Sequence, residues 1–505
     1  MRPHRLLLFL AVLACSTAVA NAHTTGRAFI LLLPTHLYIV GGAVVVAASF
    51  ILLTLIPSER LAKVERARRR LGVVNRSGAT RWLTSVCPSL LSLLLVIFLI
   101  AAGYWGSRDP LSNPLPLFVW TVWWIGFTYL HVAFGNLWVH VNPWSGLHRL
   151  ATSPASLRKW REKPPVRYPR WAGYWPAVLF FLVFAWFELI HPAPSDPALL
   201  AAAVSSYLAI TFLGIFLFGE QSWLQYGEAF SVFFRVISWL SPLALRNPKR
   251  ECEDCELECR SSPNCLNCAH CLSAECRMQV DVTFPALNLL SVHALSLSGV
   301  VFILLVLSSV SFDGLSRTFF WLDLIGANPL EYPGRTTLVT PNSAGLLGVF
   351  ATLSLAYVSV LSFARILSGG WVDAGHLFGI FVLSIVPIAF GYHFAHYLPS
   401  FTVDIQYALR SVSDPLALGW DLFGTRNLPI ITSFLSDPVK VYTVWGMQIS
   451  IIVAAHVAAI YIAHVLALRL TPSAKTAIIS QVPMTLLMIG YTMFGLWLLS
   501  TPSIG

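Results

Sequence analysis

Along most of the chain, apolar residues come in uninterrupted runs of about 20, the length an α-helix needs to cross the hydrocarbon core of a bilayer, and polar residues gather between the runs. The runs begin near Pro34, Pro88, Pro116, Tyr174, Leu199, Asn288, Ala344, Gly375, Val441 and Val482. A run that is apolar on every face predicts a helix surrounded by lipid or by other helices. The expected fold is therefore an all-α, polytopic membrane helix bundle of roughly ten transmembrane helices. The stretch from Gln221 to Leu240 is apolar too, but it carries Glu228 and Arg235, and it reads as an interfacial or re-entrant helix. Ahead of the first run, Arg2 and Arg5 precede an apolar stretch from Leu6 to Ala14 and the small-residue site Ala20-Asn21-Ala22. That is the pattern of a cleavable signal peptide over residues 1–22, which leaves residues 23–505 as one membrane domain beginning at His23. A lipid anchor on Cys15 would need a better box than Val12-Leu13-Ala14.

Composition agrees with the runs: 56% of the residues are hydrophobic and 11% charged, which excludes an ordinary soluble domain. The charges that remain are placed unevenly. Residues 57–82 hold Arg60, Lys63, Arg66, Arg68, Arg69, Arg70, Arg76 and Arg81, and residues 145–170 hold Arg149, Arg158, Lys159, Arg161, Lys163, Arg167 and Arg170. The alternate connections carry only Arg108 in one case and no basic residue between His191 and Leu200 in another. The positive-inside rule makes both basic loops cytoplasmic. With ten spans, both mature termini then face the periplasm of a bacterial inner membrane. The net charge of +10 is thus a topological device and predicts no nucleic-acid partner.

Chemistry concentrates at two places. One is Gly391-Tyr392-His393-Phe394-Ala395-His396-Tyr397, with Asp404 eight residues beyond His396 in what reads as a periplasmic loop from Ser400 to Lys440. The other is Glu188-x-x-His191 at the same end of the fourth run. The i, i+3 spacing puts each pair on one side of a helix, and ionisable groups at membrane depth mark function by default. His393, His396 and His191 are expected as ligands to a divalent metal, with Glu188 as ligand or bridging carboxylate. Asp404 is expected as the base or as the partner that orients water or imidazole. His23 would add an amine-imidazole chelate, and these ligand types do not choose the metal. The plainer reading is that interfacial His and Tyr anchor helices while Asp404, Asp414 and Asp421 cap turns. His131, His293, His456 and His464 lie deeper, where they pair structurally or ligate b-type haem.

A third feature is Cys252, Cys255, Cys259, Cys265, Cys268, Cys271 and Cys276, with His270 among them, in a cysteine-rich loop over 247–280. Thiols this dense imply zinc, an iron–sulfur cluster or disulfides, and a cytoplasmic loop disfavours the last. Paired C-x2-C spacings fit structural zinc. The run from Cys265 to Cys276 departs from the bacterial ferredoxin spacing at its last step. No P-loop, GxSxG elbow or HExxH motif occurs.

Several short motifs recur in an order that resembles a family of bacterial multi-pass membrane proteins including fenitrothion hydrolase. They include Asn142-Pro143-Trp144, Trp186-Phe187-Glu188-Leu189, Gly227-Glu228-Ala229-Phe230-Ser231-Val232, Phe312-Asp313-Gly314, Tyr392-His393-Phe394-Ala395-His396-Tyr397, Ser413-Asp414-Pro415, Gly419-Trp420-Asp421-Leu422-Phe423-Gly424-Thr425, His456-Val457-Ala458-Ala459 and Ser480-Gln481-Val482-Pro483-Met484. The resemblance covers most of the chain and implies a membrane-bound organophosphorus triester hydrolase that cleaves an aryl P–O bond, releasing a nitrophenol and a dialkyl thiophosphate. It does not supply the catalytic residues. The substrate would be an apolar small molecule partitioned into membrane lipid, and homo- or hetero-oligomerisation is left open. The alternative class is a membrane redox or metal-handling protein using the cysteine loop and the intramembrane histidines. A transporter with a histidine-lined proton path is the third.

Overall fold

The computed structural model describes residues 35–501, apart from 76–83, 85, 155–163, 248–264, 267–276, 329–333, 371 and 434–436. Each apolar run becomes a helix. In chain order these are α1 (Thr35–Thr54), α2 (Cys87–Trp105), α3 (Pro114–Phe134), α4 (Trp175–Leu189), α5 (Pro197–Phe218), α6 (Ala229–Ser238), α7 (Leu297–Ser316), α8 (Arg335–Leu367), α9 (Ala374–Ser413), α10 (Pro438–Leu470) and α11 (Ala474–Ser500). Nine of them are long and apolar enough to cross a membrane, and the chain is an all-α multi-pass membrane protein. The fourth run yields only the 15 residues of α4. At 1.5 Å per residue that is about 22 Å, short of the ~30 Å core. The sixth begins at Leu297, nine residues later than Asn288, so His293 is exposed on the connection before it rather than deep in the bundle. The third is not uniformly α: Leu117–Phe127 winds as a π-helix, a wider turn that recurs beside functional sites.

The segment from Gln221 to Leu240 breaks into a π-turn at Trp223–Gly227 and the ten-residue α6, capped where the Glu228 carboxylate accepts from the Phe230 and Ser231 amides at 2.9 and 2.6 Å. It is half the length a crossing needs, and all of its residues except Ser231 are buried, so it is a short helix enclosed by the bundle.

A small antiparallel sheet was not legible in the pattern. Strands β1 (Arg69–Asn75), β2 (Leu243–Asn247), β3 (Cys265–Leu266) and β4 (Arg277–Val282) align in the order β1-β4-β2-β3. It carries topological information. β1 follows α1 and β4 precedes α7, and they pair from Arg69 with Val282 to Asn75 with Arg277, so an even number of crossings separates them. Helices α2, α3 and α5 are long enough to cross, and the shorter α4 runs from Tyr174 on the sheet side to His191 on the opposite one, which makes four; α6 supplies none. The packing agrees: on the sheet side, Gly146 N and Tyr174 N donate to Ser89 Oγ and Ser298 Oγ. On the opposite side Trp120 Nε1 donates to Pro194 O, and Arg335 Nη1 to Glu188 O and His191 O.

Burial divides the bundle into shells. Within the apolar windows, 78% of α7, 83% of α9 and 61% of α10 is buried against 11% of α1 and 17% of α8, so α7, α9 and α10 form the centre. Lipid offers no hydrophobic drive between helices, and close fit has to hold them. At Gly495 a Cβ would lie 1.5 Å from the Tyr392 hydroxyl, which donates to Tyr491 O at 2.7 Å; no larger residue allows α9 and α11 to meet there.

On the sheet side Glu220 accepts from Arg149 Nη2 at 2.7 Å and Nε at 3.3 Å, and lies 3.2 Å from His148 Nδ1. Burial alone would raise its pKa, but Arg149 and His148 outweigh it and hold the carboxyl at about 2, below its ordinary 4.5. A folded value below the unfolded one stabilises the protein above the unfolded pKa. The gain, about 3 kcal/mol, should be lost as pH falls from 4.5 to 2. The thermal midpoint in detergent should drop more steeply over that window in the wild type than in Glu220→Gln; parallel slopes would contradict it. Topology reporters fused after Asn75 and after Val282 should report the same side, and one after His191 the other.

Candidate functional site

The groups singled out in the sequence separate into two clusters, and helix geometry explains the split. On α9, His393 and Tyr397 are four residues apart and lie within about 40° of each other around the axis, while His396 lies about 100° from Tyr397. His393 and Tyr397 therefore face α3 and α4, whereas His396 faces α7. Tyr397 donates its hydroxyl to Glu188 Oε1 at 2.8 Å. The His393 ring stands edge-on to Trp124 at 5.0 Å and 4.8 Å from the Tyr397 ring. His393 is 5% exposed, and its Nε2 has no hydrogen-bond partner.

Glu188, His393 and Tyr397 are the ionisable groups lining a small cavity whose other walls include Phe181, Phe184 and Phe233, together with Ser309 and with Trp124, whose buried Nε1 has no hydrogen-bond partner. About 10 Å³ is open to the centre of a water, room for roughly one molecule. A bare imidazole nitrogen and a carboxylate on one water-sized space can bind a water and take its proton.

The second cluster is built on Asp313, in the last turn of α7 and 2% exposed. Its Oδ2 accepts from His396 Nε2 at 2.6 Å, and its Oδ1 accepts from Arg317 Nε at 3.0 Å and Nη2 at 2.9 Å. The Asp313 carboxylate in turn holds the Arg317 guanidinium above its ordinary pKa. Arg335, at the start of α8, donates from Nη1 to Glu188 O and His191 O at 3.2 Å each, occupying carbonyls that the C-terminus of α4 leaves unpaired.

The expected metal set is not assembled. Among the described residues no three His, Cys, Asp or Glu side chains are close enough to hold a metal ion. The Nε2 of His396 is committed to Asp313. Nδ1 of His191 accepts from the Ala193 amide at 3.1 Å, and its ring stacks on Phe187 outside the cavity. Asp404 does not stand in a loop. α9 runs on through Pro399 to Ser413, so Asp404 sits half-buried on that helix, eight residues past His396, and does not line the cavity. Asp414 and Asp421 do cap turns: Asp414 accepts from the Leu418 and Gly419 amides and Asp421 from the Arg426 amide. His23, Cys252, Cys255, Cys259, Cys268, Cys271 and Cys276 lie outside the described residues, and Cys265 is described only as part of the backbone of β3.

The deep histidines His131, His456 and His464 each make a structural contact, and His456 keeps a buried Nε2 without a partner. In His131, Nδ1 bonds Phe127 O at 2.7 Å and Nε2 accepts from Trp138 N at 3.0 Å, which leaves no nitrogen for a haem iron. His456 donates Nδ1–H to Ile452 O at 2.8 Å, and His464 Nδ1 lies 3.3 Å from Gln481 Oε1.

Asp313, Arg317 and Tyr397 were not picked out as site residues in the sequence. An aspartate inside an otherwise uncharged apolar run, with an arginine four residues on, is the signal that could have found the first two.

The arrangement defines a multi-pass helical membrane protein with a buried acid-base cluster. Compared with known protein families, curated proteins and solved structures, the chain matches none.

Removing the Asp313 side chain leaves His396 and Arg317 without their common acceptor, and removing His396 leaves Asp313 its Arg317 bonds. Asp313→Ala should therefore lower stability by about 3–5 kcal/mol, and His396→Ala by about 1–3 kcal/mol. Denaturation of the purified variants in detergent checks the order; equal losses would mean that Arg317 contributes nothing.

Proposed function

We propose that the protein is a membrane-embedded hydrolase that cleaves the aryl P–O bond of neutral organophosphorus triesters such as fenitrothion. The observation that carries this reading is the unpartnered Nε2 of His393, buried in one cavity with the Glu188 carboxylate. A buried polar atom without a partner is costly, and a bound water relieves it. The order of motifs resembling the fenitrothion hydrolase family supports the reading from the sequence.

In this mechanism His393 Nε2 takes a proton from the cavity water while Glu188, held by Tyr397, orients the second hydrogen. The water oxygen forms the new bond to phosphorus. The aryl P–O bond breaks with its electron pair on the nitrophenolate, a leaving group stable enough to need little acid assistance. The proton on His393 is then released with the dialkyl thiophosphate. Neutral triesters partition into lipid, so a site reached through the membrane meets them where they concentrate. The cavity admits the water and not the ester, so turnover requires its aromatic wall to part.

The described residues do not fit a metal, so no step is assigned to one. Among the described residues, His131 has both nitrogens engaged and offers none to a haem iron.

Membranes expressing this chain alone should release yellow nitrophenolate from fenitrothion. His393→Asn and Glu188→Gln should each reduce the rate by about 10²–10⁴-fold while the protein remains inserted. Wild-type protein that is intact and inserted but releases none, or variants that keep full turnover, would overturn the reading. Loss of activity on chelation would show a metal requirement that the described residues do not meet.

A further inference from the structure

A buried guanidinium elsewhere in the bundle has no counter-charge among the described residues. Arg235, on α6, is 5% exposed, and its Nη1 is buried without a hydrogen-bond partner. Its Nη2 donates to the Tyr174 hydroxyl at 3.4 Å, and the guanidinium lies 5.7 Å from the centroid of the Tyr174 ring. Those contacts are polar but neutral. The ion pairs among the described residues include Arg108 with Asp196, His148 and Arg149 with Glu220, Arg317 and His396 with Asp313, and Arg426 with Asp414, and none includes Arg235. Glu228, two turns earlier on the same side of the segment, is already taken up by the Phe230 and Ser231 amides and the Tyr207 hydroxyl.

Taking a cation out of water is strongly unfavourable unless an anion comes with it. The surroundings indicate what that anion is. Tyr174 opens α4, and its amide donates to Ser298 Oγ at the opening of α7, so the guanidinium sits toward the ends of the spans on the sheet side. Tyr226 packs against Tyr174 at 5.2 Å, and Tyr168 stacks on Tyr226 at 6.0 Å, a tyrosine layer of the kind found at headgroup level. A guanidinium fork beside phenolic hydroxyls suits a tetrahedral oxyanion better than a halide, because its paired donors match two oxygens.

We propose that Arg235 is the centre of a phosphate-binding site on the sheet side of the bundle, filled by the phosphate of an anionic lipid headgroup or by free phosphate. Arg235 does not line the Glu188 cavity, and occupancy of its site does not depend on catalysis there.

The test is thermal unfolding of the purified, delipidated full-length protein in neutral detergent, with phosphatidylglycerol, phosphatidylcholine or inorganic phosphate added at matched ionic strength. The wild-type midpoint should rise by roughly 1–3 °C with phosphatidylglycerol and not with phosphatidylcholine. A rise with phosphatidylglycerol alone identifies the headgroup; a rise with inorganic phosphate as well identifies a site open to any small phosphate. Arg235→Leu should melt no lower than ligand-free wild type, because it removes an uncompensated charge, and should not respond to either additive. If that variant does not fold, Arg235→Lys should keep a response weakened about tenfold. No response in the wild type, or an undiminished response in either variant, would overturn the site.

Discussion

Polar groups at the depth of the hydrocarbon core depend on the protein for their partners, because lipid tails supply none. The Asp313 carboxylate is the point at which that constraint organises the molecule. Buried at the end of α7, it accepts from His396 on α9 and from Arg317 beyond its own helix. The two most enclosed helices are thereby fixed in register, and that register sets where His393 and Tyr397 meet Glu188 of α4. The tie adds a directional, charge-assisted contact to the close packing that holds α7 against α9.

The same constraint explains the difference between the two imidazoles of α9. His396 is tied through Nε2 to the buried Asp313 carboxylate. His393 is enclosed by aromatic rings and left with a bare nitrogen. Proteins tolerate such an atom where something binds or reacts. Arg235 is the cationic counterpart at the other end of the bundle, with a buried Nη1 that has no hydrogen-bond partner.

The spans were legible because the bilayer dictates their length and composition: each of the ten runs became a helix. The sheet was not, since its strands are short, flank a cysteine-rich segment and carry no clear alternation. Pro399 and Ser400 read as a helix end, yet α9 continues through them, and this moved Asp404 from a loop onto the helix. The i, i+3 spacing of His393 and His396 reads as one shared side of α9. It could not show that the 60° between them suffices to hand one to α7 and the other to α4. Asp313 stood in plain view in Phe312-Asp313-Gly314, but its value comes from a partner 83 residues away, which a single sequence does not reveal.

The central claim is that a water held by His393 and Glu188 attacks phosphorus. Turnover of fenitrothion in water enriched in oxygen-18, followed by mass analysis of both products, tests it most directly. The account predicts one labelled oxygen in the dialkyl thiophosphate and none in the nitrophenol. Label in the nitrophenol would mean attack at the aryl carbon, and thiophosphate without label would mean that water is not the nucleophile; either result would contradict the mechanism.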